Sequence, residues 1–209
     1  MDQIDAIIYI NLEHRTDRRE HIEAEFKRMG IPAEKVHRIN AIRNALGPLG
    51  CTMSHIKALK LMEENPAWQR VMVMEDDFTF KGETFSDFNH PLSDFFYKFD
   101  KKGWDVFLPS YNHWNAQVSD TVYKQYKKVI YSQTASCYVF KRDYLEKLKA
   151  NFKASAEGLI RYGKKPEHCL DINWTRLQTE GHWYLITPAL GHQYDNYSDN
   201  EGRVVRYGC

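Results

Sequence analysis

The chain has 209 residues, with 29 Lys and Arg against 28 Asp and Glu, so its formal net charge at pH 7 is +1. Hydrophobic residues make up 43% and charged residues 27%, which is ordinary for a globular protein and excludes a disordered, collagen-like or low-complexity chain. The even charge balance offers no basic surface of the kind that binds nucleic acid or an anionic membrane, so we expect no nucleic-acid partner.

Short apolar runs alternate along the chain with longer stretches whose apolar residues recur at helical spacing. The short runs predict strands at 6–10, 35–42, 71–74, 104–108, 136–140 and 183–186. The helical spacing predicts helices near 17–29, 52–62, 92–99, 144–152 and 170–177. Segment 109–133 is polar and rich in Tyr, which predicts an excursion of the chain over the functional site. Strands alternating with helices indicate a single α/β domain with a mostly parallel central sheet.

Local signals refine the boundaries of two helices. Asp17 and Glu20 have the spacing of a capping pair at the start of the first helix, and Gly30 stands where that helix should stop. The sequence Gly47–Gly50 predicts a turn, followed by a helix that begins near Thr52.

The cysteines give no sign of a metal or redox motif. Cys51, Cys137, Cys169 and Cys209 lie far apart, without a CxxC pair or a His/Cys spacing typical of metal ligands. This excludes a zinc ribbon and argues against a dense disulfide framework. The acidic N-terminal sequence and the short longest apolar run, 6–10, predict neither a secretion signal nor a transmembrane segment. We therefore expect a reduced, soluble, cytoplasmic protein.

The sharpest local feature is the triplet Glu75, Asp76 and Asp77, which directly follows the apolar strand 71–74. Ligands of α/β sheets bind at the carboxyl ends of strands, and Mg²⁺ or Mn²⁺ takes carboxylate and phosphate oxygens. Glu75 and Asp77 should face the same side of an extended chain because they are two residues apart. A solvated acidic loop is the alternative for the triplet alone, but its place after a buried strand favours a metal site.

Residues 11–19 form a strand-to-helix turn rich in arginine. Free N–H groups at a helix start and bidentate guanidinium groups both bind phosphate, so this turn is a candidate site for a nucleotide. Salt bridges on an exposed helix face, such as Arg19 with Glu23, explain the same spacing equally well.

A second candidate for binding is the segment from Gly50 to His55, which carries small hydroxyl side chains. Backbone and hydroxyl donors there could hold a diphosphate or a sugar. Thr52 as a plain N-cap and His55 as a surface histidine are the simpler interpretation of the segment alone.

Three further candidates lie in the last part of the chain. Asp171 opens a predicted helix, where it could serve as a general base or as a partner of the helix dipole. His192 follows a strand and a proline, and it could complete a metal shell or be an ordinary polar residue. Arg203 and Arg206 could close over a phosphate or keep the terminus soluble.

Taken together, four segments resemble glycosyltransferase family 25, which includes lipopolysaccharide-type glycosyltransferases and collagen hydroxylysine galactosyltransferases. The matching segments, in the family's order and spacing, are Tyr9–Arg19, Gly50–His55, Met72–Asp77 and Thr134–Tyr138. The resemblance covers nearly the whole chain. It implies a GT-A type nucleotide-sugar fold over residues 1–209, with 1–110 mainly the donor half and 111–209 mainly the acceptor half.

The resemblance also implies an activity and its site. The activity is inverting transfer of a hexose from UDP-galactose or UDP-glucose to a hydroxyl of a glycan, lipid-linked or protein acceptor, with Mn²⁺ or Mg²⁺ as cofactor. Asp171 and Asp77 are the implied catalytic residues, and the implied metal ligands are Glu75, Asp77 and His192. The residues implied to bind the nucleotide sugar are Asn11, Arg15, Arg18, Ser54, His55, Glu75 and Asp76.

The chemistry then follows from charge. The cation neutralises the departing diphosphate, and the acceptor hydroxyl loses its proton to Asp171 as it attacks the anomeric carbon. Tyr111, His113 and Trp114 are candidates for an aromatic wall that faces the acceptor. Two alternatives stay open: a metal-dependent phosphohydrolase or nucleotidyltransferase that uses the same acidic strand end, and a non-catalytic module that binds a sugar nucleotide.

Overall fold

The structure is a computed structural model that describes residues 3–199 and 202–206. An eight-stranded sheet forms the centre of the protein, and two smaller two-stranded sheets flank it. The strands of the large sheet are β1 (Ala6–Asn11), β2 (Val36–Asn40), β3 (Arg70–Glu75), β5 (Val106–Leu108), β6 (Gln117–Asp120), β7 (Tyr126–Tyr131), β8 (Cys137–Lys141) and β9 (Trp183–Ile186). The small sheets pair β4 (Phe78–Phe80) with β10 (Gly191–Gln193), and β11 (Asn196–Ser198) with β12 (Arg203–Val205).

The strand order of the large sheet is β2-β1-β3-β8-β5-β9-β7-β6. The pairs β1–β2, β1–β3 and β5–β9 are parallel, and the remaining four pairs are antiparallel. Followed across the sheet, these pairings leave six strands pointing one way and only β7 and β8 reversed. The predicted α/β fold with a mostly parallel sheet is therefore confirmed.

Helices cover both faces of the sheet because its central strands are apolar on both sides. Ile7 and Tyr9 of β1 pack toward one face and Ile8 and Ile10 toward the other, as the two-residue period of a strand requires. The first face carries α1 (Thr16–Arg28) and α3 (Phe85–Phe99). The second carries α2 (Gly47–Glu63), α4 (Leu145–Tyr162), α5 (Leu170–Asn173) and α6 (Thr175–Glu180). Within the described ranges, no helix is long and apolar enough to cross a membrane.

Segment 109–133 does not run as an irregular excursion, because it supplies β6 and β7 at one edge of the sheet. All four residues of β6 are exposed, so no alternation of apolar and polar residues marks this strand in the sequence. The register of β6 also shifts between Gln117 and Val118. An exposed edge strand of this kind carries little sequence signal.

Helix α2 begins five residues before the predicted Thr52, because Gly47–Gly50 forms its first turn. Pro48 fits there, since the N–H that proline lacks has no partner within the first turn of a helix. A Cβ atom on Gly50 would lie 2.5 Å from the carbonyl oxygen of Ile42. The glycine therefore allows the segment after β2 to cross closely over the helix.

Two other predicted helix features are wrong. Helix α1 has no side-chain cap, and Asp17 forms an ion pair with Arg15 rather than a capping pair with Glu20. The helix predicted over 170–177 is divided at Trp174, which ends α5 and precedes α6.

A cluster of aromatic rings joins α3 to the sheet. The Phe95 ring is fully buried and stacks on Phe107 of β5 at a centroid distance of 4.1 Å and on Phe99 at 4.6 Å. Trp104 contacts the same ring edge-on at 5.5 Å. Burial of this ring ties the helix to the middle of the sheet.

We expect Phe95→Ala to lower the free energy of unfolding by about 3–5 kcal/mol, because it leaves a ring-sized cavity in the core. Urea denaturation followed by circular dichroism measures this change. Tyr97→Ala is the matched control, since Tyr97 lies on the same helix and is 84% exposed, and its loss should cost about 0.5 kcal/mol or less. Equal losses in the two variants would contradict this packing.

Candidate active site

A cavity of about 860 Å³ opens at the carboxyl ends of β1 and β3. These parallel neighbours are a switch point of the topology, because the chain leaves β1 toward β2 on one side and returns to β3 on the other. Eight of the ten residues assigned to the site in the sequence line this cavity: Arg15, Arg18, Ser54, His55, Glu75, Asp76, Asp77 and Asp171. Asn11 and His192 are not among its lining residues.

Glu75 and Asp77 face a common point, as their spacing suggests. The side-chain nitrogen of Gln193 lies 2.9 Å from Oε2 of Glu75 and 3.1 Å from Oδ1 of Asp77. One atom is thus within hydrogen-bonding distance of both carboxylates. The two acids thereby define a position that a single group occupies between them.

Asp76 has a different environment. Its Oδ2 accepts a hydrogen bond of 2.7 Å from the amide of Asn11, and its Oδ1 accepts one of 2.9 Å from Nη1 of Arg18. The other terminal nitrogen of Arg18 lies 3.1 Å from Oδ2 of Asp77. One guanidinium group therefore offsets much of the repulsion between the two aspartates.

Asn11 does not line the cavity, but it holds Asp76 of the acidic triplet in place. Its side chain is buried, donates to Asp76 and to the carbonyl oxygen of Arg15, and accepts from Arg38. These contacts use both ends of the amide. Asn11 consequently orients Asp76 and the start of α1.

The three acids differ in the direction in which their surroundings shift the pKa. Burial, with the charge of Asp77 added, raises the pKa of Asp76 to about 7. Burial also raises the pKa of Asp77, and the charge of Arg18 only partly counteracts it. Burial acts in the same direction on Glu75, but the hydrogen bond and charge of His55 outweigh it, so the pKa of Glu75 is lowered. Glu75 is thus the member of the triplet that is most firmly ionised.

Both arginines at the start of α1 reach the cavity wall, where acceptors from β11 and the residue after it hold them. Arg15 binds Asp17 with two nitrogens and donates to Asp199 at 2.6 Å and to the carbonyl oxygen of Tyr197 at 3.0 Å. Arg18 donates to Asn196 and to the same carbonyl oxygen. In the structure these protein acceptors therefore engage both guanidinium groups.

The hydroxyl groups of Ser54 and Thr52 in α2 form hydrogen bonds with backbone groups. Ser54 donates to the carbonyl oxygen of Gly50 at 2.7 Å and accepts from the N–H of Ile42 at 2.8 Å. Thr52 is fully buried and donates to the carbonyl oxygen of Pro48. Ser54 therefore holds the segment after β2 against α2, whereas Thr52 bonds to the first turn of α2 itself.

Cys51 and His55 lie one helical turn apart and both point at Glu75. Cys51 Sγ is 3.8 Å and His55 Nε2 is 3.4 Å from Oε1 of Glu75. Nδ1 of His55 lies 3.1 Å from the hydroxyl of Tyr138, which is fully buried. The sequence analysis recognised no His/Cys ligand spacing, but the four-residue spacing of Cys51 and His55 places both side chains on one face of α2.

Asp171 is half-buried in the wall of the cavity. Its Oδ2 accepts a hydrogen bond of 3.1 Å from the backbone N–H of Thr134, and burial raises its pKa. Thr134 has a φ of 80°, a left-handed conformation that is strained for a β-branched residue. Sequence reasoning did not single out Thr134 itself, because nothing in its type signals this conformation.

Gln193 takes the place beside the acids that the sequence interpretation gave to His192. Strand β10 sets Gln193 opposite Phe78, directly after Asp77, and neighbouring residues of a strand face opposite sides. A Cβ on Gly191 would lie 2.0 Å from the Phe78 ring, so the glycine permits this close pairing. The structure does not bring His192 to the acidic triplet.

The remaining candidates lie away from this cavity. Trp114 is exposed, and Tyr111 is buried against His113; none of these three lines the cavity. Arg203 is exposed, and Arg206 pairs with Asp195. The structure therefore provides no cavity contact for the proposed aromatic wall or for these two arginines.

No protein-family model and no curated protein matches the sequence. Among solved structures, A197 from STIV is 12% identical with a TM-score of 0.53, covering 97% of this chain and 93% of that one. UDP-glucose pyrophosphorylase complexed with UDP-glucose is 9% identical with a TM-score of 0.54, covering 90% and 74%. A glycosyltransferase involved in glycosylation of the major capsid of PBCV-1 aligns at 9% identity over 88% and 93%, with a TM-score of 0.44, which is too low to support an argument. At these identities the likeness shows the fold alone, a GT-A-like α/β fold.

Arg18→Met should lower the free energy of unfolding by about 3 kcal/mol at pH 8, because it leaves Asp76 and Asp77 buried without a counter-charge. Unfolded aspartate loses its proton near pH 4, whereas the buried acids keep theirs to higher pH. The loss should therefore shrink as the pH falls toward 5. Urea denaturation at both pH values, with a chelator present, measures it.

Arg19→Met is the control for Arg18→Met. Arg19 makes an exposed ion pair with Glu23 on the same helix, so its loss should change the free energy of unfolding little at either pH. An Arg18 variant that behaves like this control would show that the guanidinium does not compensate the acids.

Proposed function

We propose that this protein is an inverting, divalent-metal-dependent glycosyltransferase that moves a hexose from a UDP-sugar to a hydroxyl of a glycan or glycoconjugate. The observation that carries the proposal is the convergence of Glu75 and Asp77 on one position at the carboxyl ends of β1 and β3. The cavity above them, about 860 Å³, is in the range that holds small ligands and cofactors. The four-segment resemblance to glycosyltransferase family 25 supports the choice of reaction.

The residues around this position suit a hard divalent cation. Mg²⁺ and Mn²⁺ prefer oxygen ligands, and Glu75 and Asp77 offer two carboxylates. Rotation of the Gln193 amide would exchange its nitrogen for its oxygen and add a third oxygen ligand. Asp76 is not needed as a ligand, because Asn11 and Arg18 already use both of its oxygens. Glu75 and Asp77 would hold the cation there, and it would supply positive charge to offset the charge that develops on the leaving diphosphate.

The arginines and Asp171 then have separate tasks. Arg15 and Arg18 lie where they can donate to the diphosphate once it displaces the acceptors from 196–199. The acceptor oxygen forms a bond to the anomeric carbon while the bond from that carbon to the diphosphate breaks. Asp171 takes the proton of the acceptor hydroxyl, a role that its raised pKa favours. In this proposal residues 1–110 mainly hold the donor and residues 111–209 mainly hold the acceptor.

A nucleotidyltransferase is the second candidate, because UDP-glucose pyrophosphorylase, solved with UDP-glucose, has the same fold. The two reactions break different bonds of a UDP-sugar. Glycosyl transfer breaks the bond between the sugar and the diphosphate and releases UDP. Pyrophosphorolysis breaks the phosphoanhydride P–O bond between the two phosphates, consumes pyrophosphate, and releases UTP and the sugar 1-phosphate.

The proposal is tested by UDP release from a panel of UDP-sugars with Mn²⁺ and a panel of sugar acceptors. We expect release from UDP-galactose or UDP-glucose, and a loss of about 100-fold or more in kcat/KM for Asp77→Asn. Asp120→Asn, a change of the same type at an exposed carboxylate on β6, should retain the activity. UTP formation that requires pyrophosphate would favour the nucleotidyltransferase, and an unaffected Asp77 variant would refute the assignment of the metal site.

Asp199→Asn should bind UDP about tenfold more tightly than the unmodified protein, because it releases Arg15 from a competing carboxylate. Isothermal titration calorimetry measures the dissociation constant. Asp195→Asn removes the same charge from the same segment but frees Arg206 instead, so it should change the affinity little. Equal gains in both variants would indicate a general charge effect and contradict a role for Arg15.

A further inference from the structure

A second group of ligand atoms adjoins the cation position of the proposed function but does not coincide with it. Cys51 Sγ, His55 Nε2 and Glu75 Oε1 all lie within 4.8 Å of one another. The amide nitrogen of Gln193 lies 2.9 Å from the other oxygen of Glu75, Oε2, and also 3.1 Å from Oδ1 of Asp77. Oε1 of Glu75 therefore faces Cys51 and His55, while Oε2 of the same carboxylate faces Gln193.

The spacing of these atoms matches a tetrahedral metal site. For ion-to-ligand distances of about 2.0 Å to nitrogen or oxygen and 2.3 Å to sulfur, tetrahedral geometry puts nitrogen and oxygen about 3.3 Å apart and sulfur about 3.5 Å from either. The observed separations are 3.4 Å from His55 Nε2 to Glu75 Oε1 and 3.8 Å from Cys51 Sγ to the same oxygen. Little movement of these side chains is needed to surround an ion.

The chemistry of the three ligands selects the type of ion. A thiolate and an imidazole suit Zn²⁺ and similar transition metals, whereas Mg²⁺ and Ca²⁺ take oxygen ligands. The buried hydroxyl of Tyr138 lies 3.1 Å from Nδ1 of His55, where it can accept the ring N–H and direct Nε2 toward the ion. Partners of this kind are a regular feature of histidine ligands.

We propose that Cys51, His55 and Glu75 form a binding site for a zinc-class transition metal ion, distinct from the hard-cation position between Glu75 and Asp77. Binding forms the sulfur–metal bond as the thiol of Cys51 gives up its proton to solvent. All three residues line the cavity, so the fourth ligand is a water molecule or an oxygen of a bound substrate. The ion fixes the first turns of α2 to the end of β3.

Titration of the reduced, metal-stripped full chain with Co²⁺ tests the site without any activity measurement. We expect one equivalent of Co²⁺ to produce the absorption band of a thiolate bound to cobalt, and Zn²⁺ to abolish that band by displacement. Cys51→Ser should lose the band, whereas Cys169→Ser, a change at another cysteine on the cavity wall, should retain it. Absence of the band in the unmodified protein, or equal loss in both variants, would overturn the proposal.

Two further variants distinguish the Cys51–His55–Glu75 site from the neighbouring cation position between Glu75 and Asp77. Tyr138→Phe, which keeps the ring and removes the hydroxyl, should weaken Co²⁺ binding about 10- to 100-fold. Asp77→Asn should retain the cobalt–thiolate band even though it disables the proposed transfer of sugar, so failure of one proposal is distinguishable from failure of the other. Loss of the band in Asp77→Asn, or unchanged affinity in Tyr138→Phe, would contradict the assigned ligand set.

Discussion

Three carboxylates stand together at the end of a buried strand, and the rest of the site depends on how their charge is compensated. Arg18 lies between Asp76 and Asp77, Asn11 holds Asp76 from below, and Gln193 joins Asp77 to Glu75. Each partner comes from a different element, so the compensation also fixes the start of α1 and strand β10 around β3. Under the proposed function, a cation would take the place that the Gln193 amide occupies between Glu75 and Asp77.

Much of this arrangement could be predicted because its sequence signals are local. The apolar run 71–74 ends in acids, and the two-residue period of a strand sets Glu75 and Asp77 on one side. Because β1 and β3 are parallel neighbours, their carboxyl ends lie at the same edge of the sheet. The arginines at the start of α1, which follows β1, therefore lie beside the acids that end β3. These signals are enough to predict the α/β fold. They also identify site residues, since eight of the ten that were assigned line the cavity.

The features that the sequence did not predict depend on contacts between distant parts of the chain. The pairing of β10 with β4 decides that Gln193 reaches the acids while His192 does not, and no local pattern gives that register. Strand β6 is exposed throughout and therefore lacks an apolar pattern. The proximity of Cys51 and His55 to Glu75 likewise arises only when α2 packs on β3, although the helical spacing of the first two was available in the sequence.

The central claim is that Glu75 and Asp77 hold a divalent cation that binds the diphosphate of a nucleotide sugar. Calorimetric titration of UDP and of uridine, each with and without Mn²⁺, tests it most directly. The account predicts that Mn²⁺ tightens the binding of UDP by about tenfold or more, leaves the binding of uridine unchanged, and has no effect on UDP in Asp77→Asn. Equal affinity for UDP with and without Mn²⁺ in the unmodified protein would contradict it.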